Sequence, residues 1–130
     1  MLYFIQRKTM KFSLTLLLLL PIYAIAETVN YSCSYTSYSD SEGNHKVNDK
    51  FELNYIIDRE SGKSYLLGNA GSSEVKALES KDQLAFLEIT GTGNLVTTAI
   101  DSMLNSVHSR NTVIFGELLP SQYYGKCIVK

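Results

Sequence analysis

From Val29 onward, apolar and polar residues alternate with a period of two. The stretch VNYSCSY sets Val29, Tyr31, Cys33 and Tyr35 on one face and Asn30, Ser32 and Ser34 on the other. FELNYIID repeats the pattern, with Phe51, Leu53, Tyr55 and Ile57 together and Glu52, Asn54 and Asp58 among the opposing positions. One apolar face and one polar face mark a half-buried antiparallel strand. Between the two, the polar run SDSEGNHKVND predicts a loop.

The remaining chain reads as short strands separated by turn chemistry. DRESGK predicts a hairpin turn, with Gly62 able to take a positive φ. KSYLLGN predicts a strand, NAGSS a turn and EVKAL a short strand. LAFLEIT and LVTTAI flank GTGN and form the clearest hairpin. DSMLNS reads as a loop or a helical turn, VHSRNTVIFGEL as a long strand, PSQ as a turn opened by Pro120, and YYGKCIV as the last strand. About eight strands with short connections predict an all-β fold, a small antiparallel up-and-down barrel, because closure removes exposed sheet edges. A two-sheet β-sandwich is the alternative.

A different pattern occupies residues 1–26. Arg7, Lys8 and Lys11 precede an apolar run that includes Leu16 to Leu20, and Ala24 and Ala26 frame a cleavage site. This is the composition of a cleaved signal helix, and Met10 could equally open it. The run from Phe12 to Ala26 holds 15 residues, short of the roughly 20 needed to span a membrane. The expected product is a single domain, residues 27–130, in the periplasm or secreted, with no stable membrane insertion. Losing the three leader cations leaves nine Lys plus Arg against 13 Asp plus Glu, a net charge of −4. An acidic domain without a basic stripe lacks the phosphate neutralisation that drives nucleic-acid binding.

Cys33 and Cys127 lie near the two ends of the exported domain. Two cysteines in an exported chain are expected to pair. The bridge would close a loop of about 95 residues, worth about 4–5 kcal/mol in the chain-entropy picture. If first and last strands are neighbours in a barrel, the bridge lies across the closing seam.

Candidate chemistry is sparse. His108 and Arg110 sit two apart and share one strand face, with Thr112 and Ile114 continuing it and Val107, Val113 and Phe115 opposite. They could form a small polar surface site, His108 as an acid/base or switch and Arg110 as an anion clamp. The favoured reading is a solvated outer face, on which His108→Ala leaves stability nearly unchanged. Ser109, His108 and Asp101 compose a triad only on paper, since adjacent strand residues face opposite ways and no nucleophile elbow is present. Asp40 to Asn44 imitates the start of a calcium loop, but His45 and Phe51 stand where glycine and glutamate are needed. SGKS lacks the first glycine of a phosphate loop. No enzymatic activity, metal or cofactor is therefore expected. Seven tyrosines remain after position 26. Tyr31, Tyr35 and Tyr55 read as packing, Tyr123 and Tyr124 point opposite ways, and Tyr38 beside the polar loop is the candidate for partner contact.

These readings imply an exported, non-enzymatic module of the bacterial cell envelope that binds or inhibits an envelope or extracellular protein. The alternative is a lipocalin-like carrier of a small apolar ligand, which needs an empty interior; a side-chain-filled one is expected for eight strands. Tyr31-Ser32-Cys33, Ser61-Gly62-Lys63-Ser64-Tyr65 and Cys127 resemble anchors of the small periplasmic lysozyme inhibitors of the membrane-bound c-type class. The resemblance is confined to these anchors. It implies a compact antiparallel barrel and an inhibitory contact with lysozyme.

Overall fold

A computed structural model describes residues 27–68 and 71–130. The segment read as a signal, residues 1–26 with the cleavage point after Ala26, lies outside them, as do Asn69 and Ala70 of the expected NAGSS turn. Eight strands follow in order: β1 (Thr28–Asp40), β2 (Gly43–Asp58), β3 (Lys63–Gly68), β4 (Gly71–Glu79), β5 (Gln83–Ile89), β6 (Leu95–Asp101), β7 (Asn105–Ile114) and β8 (Glu117–Val129). Each pairs antiparallel with its neighbour in sequence, and β1 also pairs with β8. The sheet is a closed up-and-down barrel and not a sandwich.

The seam is where sequence, register and covalent structure meet. Cys33 stands directly opposite Cys127 in the β1–β8 ladder, and their sulfurs are bonded, with Cα atoms 3.9 Å apart. The N–H of Cys127 donates to the carbonyl of Leu104 at 2.8 Å, tying the β6–β7 turn to the same point. Two residues away, Gly125 lies opposite Tyr35, beside an irregularity between Tyr35 and Ser37. A Cβ at Gly125 would stand 1.9 Å from the Ser34 carbonyl oxygen. Only glycine allows so close a backbone approach.

The alternating faces resolve as expected on β1 and β2. Cys33, Tyr35, Leu53, Tyr55 and Ile57 point inward and join Leu66, Val75, Phe86, Ile100 and Cys127 in one core, with Tyr31 and Phe51 packed against it. The rings of Tyr55 and Phe86, from β2 and β5, stack across the waist at 4.2 Å. Side chains fill the barrel interior at this level.

Two expected loops are strand instead. The polar run from Ser39 to Asp49 continues β1 to Asp40 and opens β2 at Gly43. Its polar groups serve as cross-strand partners: Tyr38 pairs with His45 and their rings stack at 4.8 Å, while the Ser39 hydroxyl donates to Asn44 Oδ1 at 2.6 Å. Polarity therefore does not interrupt the ladder. Likewise PSQ lies within β8. Pro120 pairs with Asn111 of β7, but lies beyond the last β1–β8 pair, Asp40 with Ser121. One edge of β8 is free there, the setting in which a sheet tolerates proline. The turn comes earlier, at Phe115–Gly116, inside the run read as one long strand.

Candidate functional site

The barrel end carrying the β1–β2, β3–β4, β5–β6 and β7–β8 connections holds the unusual chemistry. β7 presents Ser106, His108, Arg110 and Thr112 on its inner face, the alternation placing Val107 and Ser109 outside. His108 is 2% exposed, which corrects the expectation of a solvated outer face. Val107 and Val113 point outward while Ser106, His108, Arg110 and Thr112 point inward, so hydrophobicity misassigns the faces.

Each ring nitrogen of His108 has a partner. Thr98, its cross-strand neighbour on β6, lies 2.7 Å from Nδ1. Arg110 donates its Nε–H to Nε2 at 3.1 Å. The guanidinium is always a donor, so Nε2 must be the unprotonated nitrogen and Nδ1–H donates to Thr98 Oγ1. The Thr98 hydroxyl also bonds the Tyr55 hydroxyl. Alongside, the Tyr35 hydroxyl and Ser106 Oγ are 2.9 Å apart. A fully partnered polar layer thus lies within the apolar core.

Electrostatics follow from this placement. Burial, and then the Arg110 charge, push the His108 pKa down to about 3. Burial raises the pKa values of Tyr35 and Tyr55. The ring is neutral and its lone pair is committed, an arrangement for holding Arg110 rather than for taking a proton. Ser109 Oγ accepts instead from Gln122 Nε2 on the outside at 3.2 Å. Asp101 accepts the N–H groups of Met103 and Asn105 at 2.9 Å in the β6–β7 turn. Thr98 and Arg110, and not Ser109 or Asp101, occupy the histidine.

Arg110 is held from above as well. Its guanidinium carbon lies 5.0 Å from the ring centroids of both Phe51 and Tyr123, within cation–π range. Tyr123 stacks on Tyr38 at 5.1 Å, and Tyr38 on His45. The three residues singled out from sequence, Tyr38, Arg110 and His108, therefore meet at one barrel end, linked through Tyr123. Tyr38 is half-buried in this column of rings. Phe51 was legible as a packing residue and Tyr123 only as one of a pair, with Tyr124, that points opposite ways; their role against Arg110 needs the barrel to bring β2 and β8 together. At the column's outer edge the His45 ring bonds Asp40 Oδ1 at 2.8 Å. That bond, with the N–H of Glu42, holds the Asp40 carboxyl below its usual range.

Beyond the mouth projects the β7–β8 hairpin, whose tip is apolar. Val113, Ile114, Phe115, Leu118 and Leu119 are all exposed, Phe115 completely. Phe115 and Gly116 both have positive φ, 50° and 76°, the pairing of a type I′ turn. Asparagine, aspartate and glycine suit the first of these positions; phenylalanine is strained there. No sequence pattern distinguished this residue from its strand. Ile89 and Leu95, paired on β5 and β6, add exposed apolar surface at the same end.

Among the described residues, no three of His, Cys, Asp and Glu converge as metal ligands. No family model matches the chain, and comparison with curated proteins and with solved structures gives no match.

Proposed function

We propose that this barrel is a non-enzymatic protein-binding module of the cell envelope, periplasmic or secreted, that grips its partner through the β7–β8 hairpin. Phe115 carries the reading. A ring placed wholly in water, on backbone that disfavours it, has no stabilising role in the barrel itself; strain of this kind persists where function requires it. The neighbouring Val113, Ile114, Leu118 and Leu119 extend the apolar contact that an aromatic anchor would need. The disulfide accords with an oxidising compartment outside the cytoplasm. The neutral, fully bonded His108 supports a structural role over catalysis. The filled waist favours surface binding over the carriage of an apolar ligand through the barrel.

The test is capture from envelope extract on the immobilised, disulfide-bonded domain, with Phe115→Asn as the paired bait. An envelope protein retained by the wild type and lost with Phe115→Asn is the expected result. Equal retention by both baits overturns the reading. The closed barrel and its disulfide accord with the fold implied by the lysozyme-inhibitor resemblance, so lysozyme is the first defined partner to assay. Undiminished lysozyme activity at micromolar barrel removes that partner and leaves the hairpin contact to the capture experiment.

A further inference from the structure

The barrel mouth beside the hairpin contains two adjoining recesses, of about 280 Å³ and 420 Å³, that share Leu53, Leu66 and Arg110. Val96, His108, Thr90, Thr92, Asn94 and Thr112 also line the smaller one, and Glu88 stands in its wall. Register fixes how the charges sit. Glu88 pairs with Val96 across β5 and β6, and Val96 pairs with Arg110 across β6 and β7. Two strand spacings put the backbones of the acid and the base about 10 Å apart.

The two charges do not meet. The described ion pairs involve other residues, and each charge is held by its own neighbours. Arg110 leans across the barrel to Phe51 and Tyr123 while its Nε is occupied by His108. Glu88 accepts the Ser73 hydroxyl on Oε1 at 3.1 Å. The terminal guanidinium nitrogens donate to none of the described residues, and they are not among the buried polar atoms left without a partner. Among the described residues they therefore have no hydrogen-bond partner at the recess. The second oxygen of Glu88 is in the same position. A fixed cation and a fixed anion, each with unused hydrogen-bonding capacity, thus border one small cavity with an apolar floor.

We propose that this mouth binds a small zwitterion of the α-amino-acid type with an apolar side chain. Its carboxylate would take the terminal nitrogens of Arg110, the pairing in which guanidinium geometry excels. Its ammonium would take the free oxygen of Glu88. Its side chain would lie on Leu53, Leu66 and Val96. The recess is at the small end of ligand sites, which suits one amino acid rather than a long acyl chain. This site is separate from the hairpin contact, and either can fail without the other.

The experiment is an NMR titration of the disulfide-bonded protein with L-leucine, with 4-methylpentanoate, which lacks the ammonium, and with 3-methylbutylamine, which lacks the carboxylate. Leucine should shift the Val96 and His108 amides and the Arg110 Nε resonance saturably, and bind about tenfold tighter than either analogue. Glu88→Gln should erase the advantage of leucine over 4-methylpentanoate while leaving binding of the latter unchanged. Arg110→Gln should abolish binding of both carboxylates, and the spectrum of Glu88→Gln keeps the test decisive if that variant misfolds. The absence of saturable shifts, equal affinity of the wild type for leucine and 4-methylpentanoate, or leucine binding unaltered by Glu88→Gln each overturns the proposal.

Discussion

Arg110 donates to Nε2 of His108 across 3.1 Å, so a permanent cation occupies the nitrogen that a proton would need. Protonating the folded protein would break that bond and place two cations together in a buried site. His108 therefore titrates near 3 when folded, against about 6.5 when unfolded. Above pH 6.5 neither state binds the proton and stability is unaffected. As pH falls below 6.5 the unfolded chain gains a proton that the folded chain refuses, and stability drops by about 2 kcal/mol at pH 5. The loss levels off near pH 3, where the folded ring also protonates. Denaturant unfolding at pH 7 and pH 5 checks this, with His108→Gln as the reference so that contributions from the rest of the chain cancel. The gap between wild type and variant should narrow by about 2 kcal/mol at the lower pH. Parallel pH dependence in the two proteins would count against the buried, neutral ring.

Truncating the ring is a separate matter. His108→Ala opens a cavity beneath Arg110 and deprives both Thr98 and Arg110 of a partner. The expected cost is about 2–4 kcal/mol, in contrast to the near-neutral effect of an outer-face histidine. Tyr55→Phe removes only the hydroxyl bonded to Thr98 and should cost about 1–2 kcal/mol. Thermal unfolding at pH 7 ranks the two, and a neutral His108→Ala would place the ring outside the core.

Why the inner polar layer escaped the sequence lies in the physics of the barrel. Period-two alternation identified the inward set on β1 and β2, because there the inward residues are apolar or tyrosine. On β7 the inward set is Ser106, His108, Arg110 and Thr112, and the outward set includes Val107 and Val113. Hydrophobicity then points the wrong way. What decides the face is the partner each polar group finds inside the barrel, Thr98 on the neighbouring strand for His108 and Tyr35 for Ser106, ten and 71 residues away in sequence. The hairpin arms were obscured for a related reason: Ser39, Asn44 and His45 look like loop residues until they are paired across the two strands. Strand number, closure and the cysteine seam were legible, since each follows from local alternation, turn residues and the pairing expected of two cysteines in a chain read as exported.

The seam should be thermodynamically dominant. Cys127→Ser removes the link between directly opposed residues of the first and last strands and frees a loop of 94 positions in the unfolded chain. A loss of about 2–5 kcal/mol is expected, read as a lowered thermal midpoint. Midpoints equal to wild type would mean that the ladder alone closes the barrel.

Gly125→Ala tests the same seam without touching sulfur. The added methyl meets main-chain atoms, the Ser34 oxygen at 1.9 Å and the Tyr35 Cα at 2.8 Å, and neither can rotate away as a side chain would. β1 and β8 must separate or the variant must lose pairing there. Destabilisation of about 1–3 kcal/mol or more is expected, together with faster amide exchange at the β1–β8 pairs around Tyr35. Exchange unchanged at those amides would mean that the strands do not approach so closely.

The β7–β8 turn offers the opposite outcome, a substitution that stabilises the fold and removes its contact. Phe115 has φ of 50° and a ring entirely in solvent, so it contributes strain and no burial. Asparagine at that position accepts the left-handed backbone and is the residue preferred before glycine in a type I′ turn. Phe115→Asn should therefore gain about 0.5–1 kcal/mol, raising the thermal midpoint by about 2–8 °C for a domain of this size. If the phenylalanine is kept for a partner, the same variant must lose that partner while becoming more stable. A more stable protein that still binds would assign the exposed ring no role in recognition, and a less stable one would show that the ring packs against the barrel. Only the opposed movement of the two measurements fits a residue retained against the interest of its own turn.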